Sequence, residues 1–139
     1  MKKSKHSTTN YRALEPFIQA TAFNGHAKFT SGGYMDLIIE YLYYSDHEGN
    51  PVYSIAHYGK QNGDAMCDPE VVFSINKEKG ELYPLEYRND YMHTFQEVYK
   101  TFNDKLHYSP TTLTGIDNFL YVWRKNIVDQ GFNPDNYTT

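Results

Sequence analysis

Tyr34-Met-Asp-Leu-Ile-Ile-Glu-Tyr-Leu-Tyr-Tyr44 decides the fold, because it reads two ways. As a helix it would align Leu37, Ile38, Tyr41 and Leu42 on one face. As a strand it is a run rich in Ile and Tyr, introduced by Ser31-Gly32-Gly33. Such residues pack well on a pleated surface, and the glycines before them favour a strand. The turn Asp46-His-Glu-Gly-Asn-Pro51 then leads into a second strand over 52–58, so residues 34–58 read as a hairpin. Residues 71–75 make a third strand, and Asn76-Lys-Glu-Lys-Gly80 turns it into a fourth over 81–87. Pro84 has no amide to donate, which predicts that this fourth strand is an edge, as the end of a meander would be.

Helical patterns flank these strands. Leu14, Phe17, Ile18 and Thr21 predict a helix over 11–22, capped by Asn10, with Pro16 delaying its regular part to about Glu15. Tyr91, Phe95, Val98, Tyr99, Phe102 and Leu106 fall on one helical stripe, with Asp90 as its cap. After Ser109-Pro110, a further helix places Ile116, Phe119, Leu120, Trp123 and Ile127 on one face and stops at Gly131. Trp123 belongs to that core stripe. The expected fold is α+β: a four-stranded antiparallel meander with an N-terminal helix and two C-terminal helices packed on one face. A flexible basic tail is expected over 1–10, a single α+β domain over 11–133 and a C-terminal tail over 134–139.

The chain's 139 residues suit one domain with a core of ordinary size. Its 14 tyrosines and 8 phenylalanines imply an aromatic core with phenol groups at its boundary. A single cysteine cannot form an internal disulfide. No apolar run approaches the ~20 residues of a membrane span, and no signal-like apolar stretch follows the basic start. A cytoplasmic location is the expectation. Between Asp36 and Asp90 lie eleven carboxylates against four Lys or Arg, a balance of −7, while the rest of the chain balances at +3. That asymmetry suits a basic partner surface better than nucleic acid. The Lys-rich tail with Arg124 and Lys125 makes a poor basic patch beside an acidic sheet, so direct nucleic-acid binding is not expected.

The segment His57-Tyr-Gly-Lys-Gln-Asn-Gly-Asp-Ala-Met-Cys-Asp-Pro-Glu70 concentrates the unusual chemistry. It reads as a loop of about ten residues between two strands, longer and more polar than a tight hairpin needs. One reading is a divalent-metal site built from His57, Asp64, Asp68 and Glu70, serving a hydrolase or nuclease. Their spacing matches neither an EF-hand nor His-Glu-x-x-His. A second reading pairs Cys67 with His57 for nucleophilic catalysis, but Asp64, Asp68 and Glu70 would raise the thiol pKa. A third is structural: Asn62-Gly63 and Asp68-Pro69 are turn formers, and the carboxylates bond to loop amides. On that reading His57, Tyr58, Gln61, Asn62, Gly63, Asp64, Asp68 and Glu70 form a recognition surface, and no cofactor is needed. No glycine-rich phosphate loop and no Gly-x-Ser-x-Gly elbow occurs.

The segment from His57 to Phe73, with Pro84, Tyr87, Asn89-Asp90 and Phe95-Gln-Glu-Val-Tyr99, resembles an uncharacterised bacterial family common on plasmids, phages and conjugative elements. The resemblance spans about residues 34–100 and rests on a His-Tyr, Gln-Asn-Gly-Asp, Asp-Pro-Glu signature. It implies a small accessory protein of a mobile element and transfers no catalytic role. The expected function is that of a non-enzymatic protein-binding module. Its partner would be a host-defence or nucleic-acid-handling enzyme with a basic groove.

Overall fold

The computed structural model describes residues 1–61 and 63–139. Helix α1 (Ser7–Gln19) leads into an antiparallel sheet of six strands: β1 (His26–Phe29), β2 (Asp36–Ser45), β3 (Pro51–Gln61), β4 (Asp64–Asn76), β5 (Glu81–Asn89) and β6 (Thr94–Glu97). These lie side by side in chain order. A separate hairpin, β7 (Tyr99–Phe102) with β8 (Lys105–Tyr108), precedes helix α2 (Pro110–Asp129). The ambiguous run at 34–44 is β2, and the four expected strands are present in meander order.

Strand alternation gives the sheet one helix-covered face. Leu37, Ile39, Ile55, Val71 and Phe73 point there and join Leu14, Phe17, Leu113, Ile116, Leu120 and Trp123 in the core. Both helices contribute a single apolar stripe, so one sheet face satisfies both. Helix α2 begins with Pro110 in its first turn and Ser109 as cap, whose Oγ accepts Thr112 N–H at 3.3 Å. It ends in a Schellman motif: Gly131, at φ +92°, donates to Val128 O, and Phe132 donates to Ile127 O.

The architecture differs from the expected one in two ways. Among the described residues the sheet has six strands rather than four, and one helix rather than two follows it. The apolar stripe over 91–106 is not helical. Asn89 and Thr94 pair across a turn, and Asn103 and Asp104, at φ +51° and +60°, form the two-residue turn of the β7–β8 hairpin. Val98 alone of the stretch 91–108 is buried; it donates to Leu85 O and accepts from Ser109 N–H, fixing the hairpin between β5 and α2. Because β6 covers part of β5, the strand with Pro84 is interior. Pro84 is accommodated beside a bulge, since Glu86 pairs with Val72 but Pro84 with Phe73.

The N-terminal helix starts at Ser7 rather than near Tyr11, so Pro16 lies inside it and Asn10 is buried within it instead of capping it. Ahead of it, Lys3 pairs with Glu81, Lys2 N–H donates to the Tyr99 hydroxyl, and the terminal amine meets Glu48.

Candidate functional site

The segment 57–70 is the far half of the β3–β4 hairpin, not a loop between strands. Gly63 sits at its turn with φ +84°, a left-handed conformation that costs glycine little. A bulge divides the segment. Ala56 pairs with Glu70 and Tyr58 with Cys67, so Asp68 and Pro69 together oppose His57. The polar motif is thereby distributed over two faces of the sheet.

On the helix-covered face, His57 is buried with its ring 5.5 Å from both Trp123 and Phe132. Its Nδ1 lies 3.1 Å from Met35 O, the geometry of a neutral ring donating to a carbonyl. Burial lowers its pKa; the carbonyl bonds and the charge of Asp68 oppose that shift without cancelling it. Asp68 accepts Asn89 Nδ2–H at 2.7 Å, and Asn89 Oδ1 accepts Met92 N–H at 3.1 Å.

On the open face the remaining groups form one connected cluster. The Tyr58 hydroxyl donates to Glu70 Oε2 at 3.0 Å, and Arg88 Nη2 lies 3.6 Å from Glu70 Oε1. Arg88 Nε is 3.3 Å from Asp90 Oδ1 and donates to Cys67 Sγ at 3.2 Å. Cys67 N–H donates to Asp90 Oδ2 at 2.9 Å, and Asp90 N–H returns a bond to Cys67 O at 3.0 Å. That amide holds the Asp90 carboxyl below its ordinary range. Burial pushes the Cys67 thiol up, and burial with Glu70 pushes the Tyr58 phenol up. Both shifts favour the neutral thiol and the neutral phenol. The cluster ties the hairpin to β5 and the turn beyond it.

The four candidate metal ligands are not brought together. His57 faces the core, Glu70 faces the opposite side, Asp68 is engaged by Asn89, and Asp64 is exposed at the hairpin turn. Among the described residues, no three His, Cys, Asp or Glu side chains are grouped as metal ligands would be. Asn62 and the side chain of Gln61 lie outside what is described.

The register also creates an arrangement that linear reading does not reveal. Two rows cross the open face from β2 to β6: Ile38, Ala56, Glu70, Arg88 and Phe95, and beside it Glu40, Ser54, Val72, Glu86 and Glu97. Glu86 and Glu97 are direct cross-strand partners, with like charges opposed. Burial, then Glu97 and Glu70, raise the Glu86 pKa, and only Arg88 opposes them. Tyr44 reaches this cluster, for Glu86 and Glu70 add to the burial that raises its phenol. Exposed Phe95 ends the first row; Met92, Phe102 and Leu106 are exposed on the neighbouring turn and hairpin. The place of Arg88 and Glu97 in this cluster is not legible in the sequence; only the pairing of β5 with β6 reveals it.

A family model described as a domain of unknown function (DUF6908) matches residues 9–133. The match runs from α1 to just beyond α2. No curated protein and no solved structure matches the chain. No helix among the described residues is long and apolar enough to cross a membrane.

Proposed function

The chain belongs to this family of unknown function, and from that premise we propose that it is a non-enzymatic protein-binding module whose open sheet face docks a basic partner. The observation that carries the reading is the row Glu40–Glu86–Glu97 with Glu70 beside it, balanced by Arg88 and ending next to exposed Phe95. Opposed carboxylates cost stability in the free protein, and a cationic surface would relieve that cost on docking. An aromatic side chain at the edge of a charged row supplies the apolar contact such interfaces use.

The partner class we infer is a basic nucleic-acid-handling enzyme, with the domain occupying the groove that nucleic acid would fill. The charge asymmetry between residues 36–90 and the rest of the chain supports that class. The inferred setting, an accessory protein of a plasmid or phage acting on host defence in a bacterial cytoplasm, rests on the resemblance carried by residues 57–99.

The test compares proteins retained from host extract by the wild type and by a Glu40→Gln/Glu86→Gln/Glu97→Gln variant. Reconstitution of any retained partner from purified components follows. A basic partner bound by the wild type, released by moderate salt and lost in the folded triple variant is the expected result. Equal retention by both proteins, or a purified partner indifferent to salt, would overturn the reading.

A further inference from the structure

On the helix-covered side, the C-terminal half of α1 and the adjoining ends of β3 and β4 bound a cleft of about 660 Å³. That is within the size range of small-molecule sites. Its lining is aromatic and aliphatic at depth. Tyr53 lies against Phe73 in a stacked pair at 6.1 Å and beside Tyr41 at 5.2 Å; Ile18 and Ile75 complete the apolar wall. Tyr11, only 7 % exposed, also lines the cleft.

Two features give the cleft a sign. Among the described residues, neither the Tyr11 nor the Tyr53 hydroxyl bonds to a protein group, and both oxygens stay accessible from the cleft rather than sealed in the core. Burial raises both phenols, Glu15 raises Tyr11 further, and Tyr41 and Tyr11 do the same to Tyr53, so both are neutral groups with free oxygen lone pairs. Glu15 uses Oε1 to accept Gln19 Nε2–H at 2.6 Å and has Oε2 to spare. At the mouth, Glu78 adds a second carboxylate and Lys77 a single cation.

We propose that this cleft binds a small organic amine with an aromatic body, its ring against Tyr53 and its ammonium at Glu15 and the Tyr11 oxygen. Apolar depth, π-faces and a carboxylate at the rim are the combination that recognises such a cation. A ligand of the same shape carrying a carboxylate would meet Glu15 with the wrong charge. This site is separate from the open face and stands or falls independently of the docking reading.

The experiment titrates the full chain with 2-phenylethylamine, and in parallel with 3-phenylpropionate, following amide shifts and saturation transfer to the ligand. The expected result is amine binding with shifts confined to residues 11–22, 50–53 and 75–78. Affinity should fall about fivefold or more in Glu15→Gln, and the carboxylate should bind at least that much more weakly. Glu15 is a part-exposed helix residue and glutamine keeps a partner for Gln19, so the variant should melt as the wild type does. An amine that does not bind at about 10 mM, binds equally well to Glu15→Gln, or is matched by the carboxylate would overturn the proposal.

Discussion

The carboxylate of Asp117, midway along α2, accepts the backbone N–H of His6 at 3.0 Å, so that one helix caps the other. His6 holds the cap position of α1, and its own side chain makes no capping bond. Asp117 also accepts Ser4 Oγ–H at 2.6 Å, while Asn10 donates to its backbone carbonyl at 3.3 Å. Helix starts normally draw their acceptor from the residue before the first turn. Here it comes from more than a hundred residues away. Asp117→Ala removes the acceptor of the part-buried Ser4 and His6 donors and should lower the unfolding free energy by about 1–3 kcal/mol, measured by urea denaturation at pH 7. Asp117→Asn, which keeps one acceptor oxygen, should lose less. An alanine variant as stable as the wild type would show that the cap contributes nothing.

His57 makes stability depend on pH in a window of its own. Burial lowers its folded pKa below the unfolded value of about 6.5, so the folded state favours the neutral ring. The stability this costs is absent above that value and grows as pH falls from about 6.5 toward the folded pKa. Carboxylates titrate lower, so the two effects separate. The His57 ring protons should titrate with a midpoint below 6.5 by NMR. The melting temperature of His57→Gln should fall less steeply between about pH 6.5 and 5 than that of the wild type. A midpoint at or above 6.5 would contradict the buried, carbonyl-bonded ring.

Glu86 shows the opposite sign. Its folded pKa is raised above the unfolded value of about 4.3, so its contribution is fully present below that value and is lost as pH rises through the folded pKa. At neutral pH the ionised group faces Glu97 directly and destabilises the fold. Glu86→Gln should therefore stabilise the protein by about 0.2–1 kcal/mol at pH 7, with the gain disappearing below about pH 4. Thermal melts at the two pH values decide it. A destabilised variant at pH 7 would mean that hydrogen bonding at Glu86 outweighs repulsion.

Local signals in the chain predict the elements wherever period and punctuation agree. Ser31-Gly32-Gly33 before an Ile- and Tyr-rich run marks β2, and Gly131 after the Trp123 stripe marks the end of α2. They failed at 91–106, where six aromatic and aliphatic residues fall at helical spacing by coincidence. The better signal was Asn103-Asp104, two residues that tolerate positive φ between strands of equal length. The chemistry of 57–70 was visible as composition but not as geometry. One bulge at Asp68-Pro69 sends His57 into the core and leaves Tyr58 and Glu70 on the open face, and no linear pattern encodes which residue is unpaired. The opposition of Glu86 to Glu97 likewise exists only once β6 is recognised as a strand.

Gly131 is where the end of α2 depends on a single residue type. Its φ of +92° belongs to the region where a Cβ is strained, and an added Cβ would lie 3.1 Å from Ser31 Oγ. That Ser31 hydroxyl donates to Gln130 O, and the reversal after Gly131 sends Phe132 back into the core beside Ile127 and against His57. Gly131→Ala therefore strains the backbone and crowds Ser31 together, and should cost about 1–2 kcal/mol in urea denaturation. Gly131→Asn, whose side chain tolerates left-handed backbone, should recover part of that loss. Because Phe132 lies against His57, the alanine variant should also shift the His57 ring resonances, whereas a variant that merely frays the chain beyond residue 133 would leave them in place. An alanine variant with wild-type stability and unchanged His57 signals would show that the end of α2 does not position the ring.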